Sequence, residues 1–371
     1  MSATRLLLAA VLSTSVALAQ PVLRIESVRA ADSQPAATDP ATIWYESFEQ
    51  PDLRARCFEY SDNKGGCVPS TDSALVGTSS LRITWQPGQV EAGGVKVVFG
   101  RNPWDRGPRH DETFREVWWR QYVRHEPGWT GNPAKLSRAL CMAGRDWSQG
   151  LMAHIWGGKE QNLCLDPASG ITDSVKRSTR YNDFANLRWL GYFQGATPIF
   201  ATAESGRWWC VEAHVKLNSP GARDGLFELW LDGKLEGRRE GLDFHGTWND
   251  YAINAVFFEN YWNNGSPKAQ SRWFDDLVVA SAPIGPLTAR WPLSVTLTAE
   301  AGGPWELRLT ADDGGRQPVL TATCAGGRTL GLPAGTPAPP PGIYWCQTRP
   351  AGGVWSATSA PFRLVGSQPQ G

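Results

Sequence analysis

Two alternating runs joined by a proline- and glycine-bearing turn constrain this chain most. The first run, residues 206–218, reads Gly-Arg-Trp-Trp-Cys-Val-Glu-Ala-His-Val-Lys-Leu-Asn; a turn from Ser219 to Gly225 follows, and then a second run from Leu226 to Lys234. Side chains alternate across a strand, so two such runs about a tight turn are the pattern of a β-hairpin. The pair Asp232-Gly233 turns the chain again. The segment closes on Trp273-Phe274-Asp275-Asp276-Leu277-Val278-Val279, a predicted strand carrying two adjacent acids. A hairpin alone is only marginally stable, so the rest of the chain must supply the sheet around it.

Further strand patterns fall at residues 43–49, 80–85, 94–99, 116–124, 151–156, 187–193 and 252–258, separated by turn clusters and with almost no helical period. This spacing argues for an all-β protein, an antiparallel jelly-roll β-sandwich over residues 43–284. A second unit over residues 285–366 carries five or so short strands and suits a small immunoglobulin-like or fibronectin-like β-sandwich, with Pro333 to Pro341 as an internal loop and residues 367–371 as a tail. Residues 20–42, rich in Ala, Ser, Asp and Pro without a period, read as a linker. Residues 1–19 read as a secretory signal peptide: Arg5 gives the charged start, Leu6 to Leu12 the apolar core, and Ala17-Leu18-Ala19 a small-residue cleavage site. That run is too short to span a membrane, and no other stretch qualifies, so the expectation is a secreted protein, extracellular or periplasmic.

Charge is balanced at 36 basic against 36 acidic residues, which leaves no global field to favour nucleic acid or an anionic membrane surface. The 19 Trp, 39 Gly and 27 Pro suit a sandwich in which indoles fill the core and some stack on sugar rings. Seven cysteines fit an oxidising compartment. Cys57 with Cys67, Cys141 with Cys164, and Cys324 with Cys346 are the candidate disulfides, leaving Cys210 over; no spacing resembles a zinc site.

Four stretches carry a family resemblance: Trp119-Arg120-Gln121-Tyr122-Val123-Arg124, Ala134-Lys135-Leu136, the hairpin from Gly206 to Gly233, and Phe274-Asp275-Asp276-Leu277-Val278-Val279. They resemble the aromatic-Arg strand, the Lys-bearing turn, the hairpin and the closing strand of concanavalin A-like polysaccharide lyases, especially the alginate-lyase and glucuronan-lyase-like groups. The Lys turn departs from the family's Gly-Gly-Lys-Leu-Pro-Gly, with Pro133 and Ala134 before the lysine and Ser137 and Arg138 after Leu136. The resemblance implies binding, and β-elimination, of a uronate-containing polysaccharide. That reaction removes the C5 proton and expels the group at C4. It needs an Arg, Asn or Gln to neutralise the carboxylate, and His, Lys or Tyr as base and acid. Strand phase and the resemblance give Arg120, Lys135, His154 and Tyr192 as the catalytic set, which requires all four to converge in one cleft. Each also has a structural reading: Arg120 and Lys135 as solvated charges, His154 as a hydrogen-bonded histidine, Tyr192 as core.

Tyr122 shares a strand face with Arg120, and Tyr261, Trp262 and Asn263 lie in an aromatic- and amide-rich stretch, so these four are the expected sugar contacts. Glu49 and Asp275 are the expected ligands of a structural Ca²⁺, which such lyases often hold at this kind of place. Asp224, Glu228 and Asp232 do not have the carboxylate spacing of the related glycoside hydrolases, so hydrolysis ranks below elimination. The alternative is a non-catalytic carbohydrate-binding or adhesion protein of the same fold.

Overall fold

A computed structural model describes residues 23–31 and 34–364; the segment read as a signal peptide and the tail at 367–371 lie outside them. Two large antiparallel sheets make the main body. The front sheet has eight strands, in the order Arg188–Trp189, Leu163–Ser169, Gln149–Gly157, Lys135–Met142, Ala255–Tyr261, Glu91–Val98 and Glu59–Ser61, with Phe193–Gln194 pairing beside the first of these on Leu163–Ser169. The back sheet also has eight, in the order Lys234–Leu242, Gly225–Leu231, Trp208–Lys216, Glu116–His125, Gln270–Ala280, Ser80–Trp85 and Cys67–Ser70, with Thr42–Glu46 added on Gln270–Ala280. No helix among the described residues is long and apolar enough to cross a membrane.

The hairpin forms as its alternation dictates. Val211 lies opposite Leu231 and His214 opposite Glu228. Trp209, Val211, Ala213 and Val215 turn inward to the core between the sheets, while Trp208 and Cys210 turn the other way. On the neighbouring strand Val117, Trp119 and Val123 point inward and Tyr122 outward. A sheet with one face in the core normally leaves its other face to water. Here that outer face is covered.

The cover is the C-terminal module. Its three-stranded sheet is Ile25–Val28, Ser294–Leu297 and Thr329–Gly331; its five-stranded sheet is Thr288–Ala289, Phe362–Leu364, Gly342–Pro350, Trp305–Thr310 and Pro318–Cys324. The stretch read as a linker therefore contributes a strand to the module, where Val28 pairs with Val295. The Gln34 side chain also bonds both backbone groups of Thr288. Composition hid this, because a four-residue strand carries too little pattern to stand out. The module's apolar cluster is continuous with Tyr122, Trp208, Cys210 and Trp273 of the back sheet.

All seven cysteines are free. Cys141 faces Leu151, which in turn faces Ser169, five positions along the strand from Cys164. Cys324 lies opposite Trp305, while Cys346 lies opposite Leu309 at the other side of that strand. These offsets exceed what a disulfide spans without moving the backbone. Cys57 sits at the end of a short 3₁₀ turn, where its thiol points to the Arg54 carbonyl, and is likewise unpaired with Cys67.

Candidate functional site

The outer face of the front sheet holds a cleft of about 410 Å³, lined among others by Lys96, Lys135, Trp156, Tyr181, Asn182 and Glu259. Strand period decides the lining. Arg138 is in register with both His154 and Phe257, and His154 with Asp166, so alternate residues of four adjacent strands reach the same face. Over them folds the loop before Arg188–Trp189, which brings Tyr181 and Asn182. Asn182 has φ 51°, a left-handed conformation that asparagine tolerates better than most residues.

Arg138 organises the floor. It is fully buried. Its Nη1 donates to Asn182 Oδ1 at 3.0 Å and meets His154 Nε2 at 3.2 Å; its Nη2 donates to Glu259 Oε1 at 2.8 Å and to the Tyr181 hydroxyl. The Tyr181 hydroxyl in turn donates to Glu259 Oε1 at 3.3 Å. His154 Nδ1 lies 3.1 Å from the Asp166 carbonyl oxygen, which assigns the ring proton to Nδ1 and the lone pair to Nε2, facing the guanidinium. Burial, reinforced by Arg138, holds the His154 pKa well below its ordinary value, so the ring is neutral. Burial, then Glu259, push the Tyr181 phenol upward, so it keeps its proton. Burial pulls the Lys135 ammonium below its ordinary value, against Glu259 and with help from Arg138. Lys135 Nζ lies 3.9 Å from Glu259 Oε1 and 4.6 Å from the Tyr261 ring centroid.

Both Lys135 and Glu259 sit at irregularities of the ladder, where register shifts between Lys135 and Ser137 and between Phe258 and Tyr261. Such bulges re-aim side chains. This one is fastened from behind by Arg272 of the back sheet, fully buried. Its Nη2 donates to the carbonyl oxygens of Lys135 at 3.2 Å and Glu259 at 2.6 Å, and its Nε to Asn260 Oδ1 at 2.7 Å.

Of the residues expected from sequence, Lys135 and His154 belong to this cluster, and Tyr261 and Asn263 line the cleft. Arg120 does not. It lies buried on the back sheet, where Nη2 meets Asp276 Oδ2 at 2.5 Å and Nη1 donates to the Gly285 carbonyl at 2.6 Å. Tyr122 is also on that face, its hydroxyl accepting from Leu287 N at 2.8 Å. Strand phase shows which residues share a face but not which sheet the strand joins, and Glu116–His125 joins the back sheet. Tyr192 is exposed beside Gln194 at the far edge of the front sheet and does not line the cleft. Trp262 alternates inward and packs edge-on against Trp85. The required convergence of Arg120, Lys135, His154 and Tyr192 therefore does not occur. Arg138, Tyr181, Asn182 and Glu259 complete the cluster instead, and sequence reasoning singled out none of the four as a site residue.

Glu49 and Asp275 do not fit a Ca²⁺ site. Asp275 accepts from the backbone of Leu75 at 2.7 Å, Val76 at 3.0 Å and Asp276 at 2.7 Å. Glu49 accepts from Thr78 N at 2.9 Å, Thr78 Oγ1 at 2.8 Å and Ser79 N at 2.7 Å. With three N–H or O–H donors already on each carboxylate, and the two acids engaged at opposite ends of one loop, little lone-pair density is left for a shared cation. Among the described residues no three His, Cys, Asp or Glu side chains group as a metal site.

No family model and no curated protein sequence matches this chain. Solved structures do. A marine alginate lyase from Aplysia kurodai is 15% identical with a TM-score of 0.47, covering 65% of this chain and 99% of that one. An endo-β-1,4-glucuronan lyase from the fungus Trichoderma reesei is 17% identical with a TM-score of 0.43, covering 65% and 96%. A cellulose-induced protein is 18% identical with a TM-score of 0.33, covering 65% and 92%. The chain resembles jelly-roll polysaccharide lyases in having two large antiparallel sheets.

Proposed function

We propose that this is an exported polysaccharide lyase that holds a uronate-containing chain in the front-sheet cleft and cleaves it by β-elimination. One observation carries the reading: the Tyr181 hydroxyl is held between Arg138 and Glu259 on the cleft floor, with Lys135 beside Glu259. A proton donor and a lysine that burial inclines to lose its proton thus flank one space. The Asn182 amide, oriented by Arg138 through its oxygen, meets the sugar carboxylate, with the Lys96 ammonium, itself paired with Glu59, alongside. Lys135, as the free amine, takes the C5 proton. The C–H electron pair forms the C4–C5 double bond, the C4–O bond breaks, and the leaving oxygen takes the Tyr181 proton. His154, whose Nε2 faces Arg138, positions that guanidinium and is not itself the base.

The same network supports a second reading. Arg138 and His154 are fully buried and engaged with neighbouring groups, which leaves neither free to bond a sugar carboxylate, and this suits a binding protein without chemistry. Incubation with alginate and glucuronan, followed by the ultraviolet absorbance of the new double bond, separates the two. For the lyase, absorbance rises, Tyr181→Phe lowers the rate about 10²–10⁴-fold, and the rate climbs with pH as Lys135 loses its proton, along a limb lying below the ordinary lysine value. Retention on a polysaccharide gel with no absorbance from wild-type protein leaves the binding reading; neither result sinks both.

A further inference from the structure

Beyond the reacting groups, one end of the cleft opens onto an aromatic surface. Phe184 and Trp189 are 49% and 43% exposed, their ring planes only 14° apart with centroids separated by 6.3 Å. Trp156, which lines the cleft together with Phe184, meets Trp189 edge-on at 6.2 Å. His154 lies beneath, 4.3 Å from Trp156 and 6.1 Å from Trp189. Large exposed aromatics on a folded surface cost solvation unless something covers them, and a patch continuous with a cleft has its occupant indicated by that cleft.

The turn that carries Phe184 is tied down by side-chain hydrogen bonds. Phe184 sits in a 3₁₀ turn whose preceding residue, Asp183, accepts from Thr179 N at 2.8 Å, Thr179 Oγ1 at 2.9 Å and Asn186 Nδ2 at 2.9 Å. The same loop carries Tyr181 and Asn182, so the aromatic surface is held at a fixed offset from the reacting phenol. Beside it stands an acceptor. Ala168 is the register partner of Trp189, and Asp166 lies one alternation away on the same face; no described residue donates to its carboxyl group.

We propose that Phe184, Trp189 and Trp156 form a separate sugar subsite, which stacks on the apolar face of a pyranose ring and directs that ring's hydroxyl edge to Asp166. The inference rests on the polysaccharide reading above and adds a direction to it. The cleft crosses the strands from Glu59 to Trp156, and the platform continues that line to the Arg188–Trp189 edge. The polymer therefore lies perpendicular to the strands, with its charged contacts at Lys96 and Lys135 and its stacking contact at Trp189. A carboxylate facing Asp166 would be repelled, so the stacked residue points its own carboxylate away from the sheet edge.

Affinity electrophoresis in alginate and in glucuronan, paired with the double-bond assay, tests this. Trp189→Ala is expected to weaken retention in whichever of the two polymers binds wild-type protein by about tenfold, and Phe184→Ala by a smaller factor, with Trp189→Phe restoring most of it. For Trp189→Ala the loss is expected in the KM of the double-bond assay and not in turnover at saturating polymer, because Trp189 lies outside the cleft lining. Retention of Trp189→Ala within about twofold of wild type overturns the subsite while leaving the lyase reading intact. Binding without turnover in the wild type sinks the elimination reading and leaves the Trp189 comparison decisive. Wild-type protein retained by neither polymer overturns both.

Discussion

His125 sits in the core against Trp129 and Phe200 with neither ring nitrogen bonded. Burial, then the Arg272 charge, hold its pKa well below the ordinary value, so it stays neutral when folded. The unfolded chain takes up this proton below pH ~6.5 and the folded chain does not. Stability linked to His125 is therefore complete above that pH and lost as pH falls, at about 1.4 kcal/mol per pH unit. His154 and His245 act in the same sense, while Asp166, pushed by burial to about 6, acts in the opposite one. Comparing His125→Leu with wild type at each pH isolates the one group. Urea unfolding is expected to show the variant at least as stable at pH 7, since an unbonded buried pair of nitrogens is removed, and to show it gaining on wild type between pH 6.5 and 5. A constant difference across that range would contradict this. The same scale shows where period reading stops. His154 was legible because strand alternation fixes its face, and Lys135 because the resemblance marked its turn, although it stands at the irregular start of the strand Lys135–Met142. Tyr181 was not, since it lies in an irregular loop whose return over the sheet leaves no pattern in the chain. Arg138 was hidden within a turn that looked only like a departure from a family motif.

At the scale of elements, the loop from Leu75 to Ser79 is clamped at both ends by carboxylates, Asp275 at one and Glu49 at the other. The sequence reading paired these two acids as cation ligands; in the structure each accepts from the backbone of this loop. The ladder slips between Asp275 and Val278, and Asp276 takes φ 50°. Two adjacent acids can then both be buried, where a regular strand would put one in the core and one outside. Adjacent carboxylates in sequence look the same whether they bind a cation or cap backbone amides. EDTA is therefore expected to leave the melting temperature unchanged. Asp275→Ala is expected to cost about 2–4 kcal/mol in chemical denaturation, because the amides of Leu75 and Val76 lose their acceptor. A melting shift on chelation would restore the metal reading. The all-β class and the hairpin were legible, since alternation over nine residues, as in Trp208–Lys216, admits few other folds; the strands Lys135–Met142, Leu163–Ser169 and Lys234–Leu242 were not, and the strand expected at 187–193 is broken into Arg188–Trp189 and Phe193–Gln194.

For the whole molecule, the module and the main body form one structure, not two units on a tether. Residues 284–287 are pinned to the back sheet: the Glu212 carboxylate accepts from Ile284 and Gly285, each at 2.9 Å, and the Tyr122 hydroxyl from Leu287. Glu26 bridges Arg124 at 2.8 Å and Arg328 at 2.9 Å, joining the early strand, the back sheet and the module. Removing residues 285–364 would bare Tyr122, Trp208 and Trp273 as one apolar patch. The truncated protein is expected to associate in size-exclusion chromatography and to melt below the intact chain; a monomer with unchanged melting temperature would show the module to be an independent appendage.

The strand Ile25–Val28 has a further consequence for how the molecule is made. Its neighbour lies far along the chain, and the bond from Arg24 N to Thr298 Oγ1 spans 274 positions. At ribosomal speeds of about 5–20 residues per second, this early segment waits on the order of tens of seconds for the residues that complete its sheet. Until then it is an unsatisfied edge that must be kept from neighbouring chains. The later-made module thus closes over this earlier strand, and the main body can collapse around its cleft before that sheet is complete.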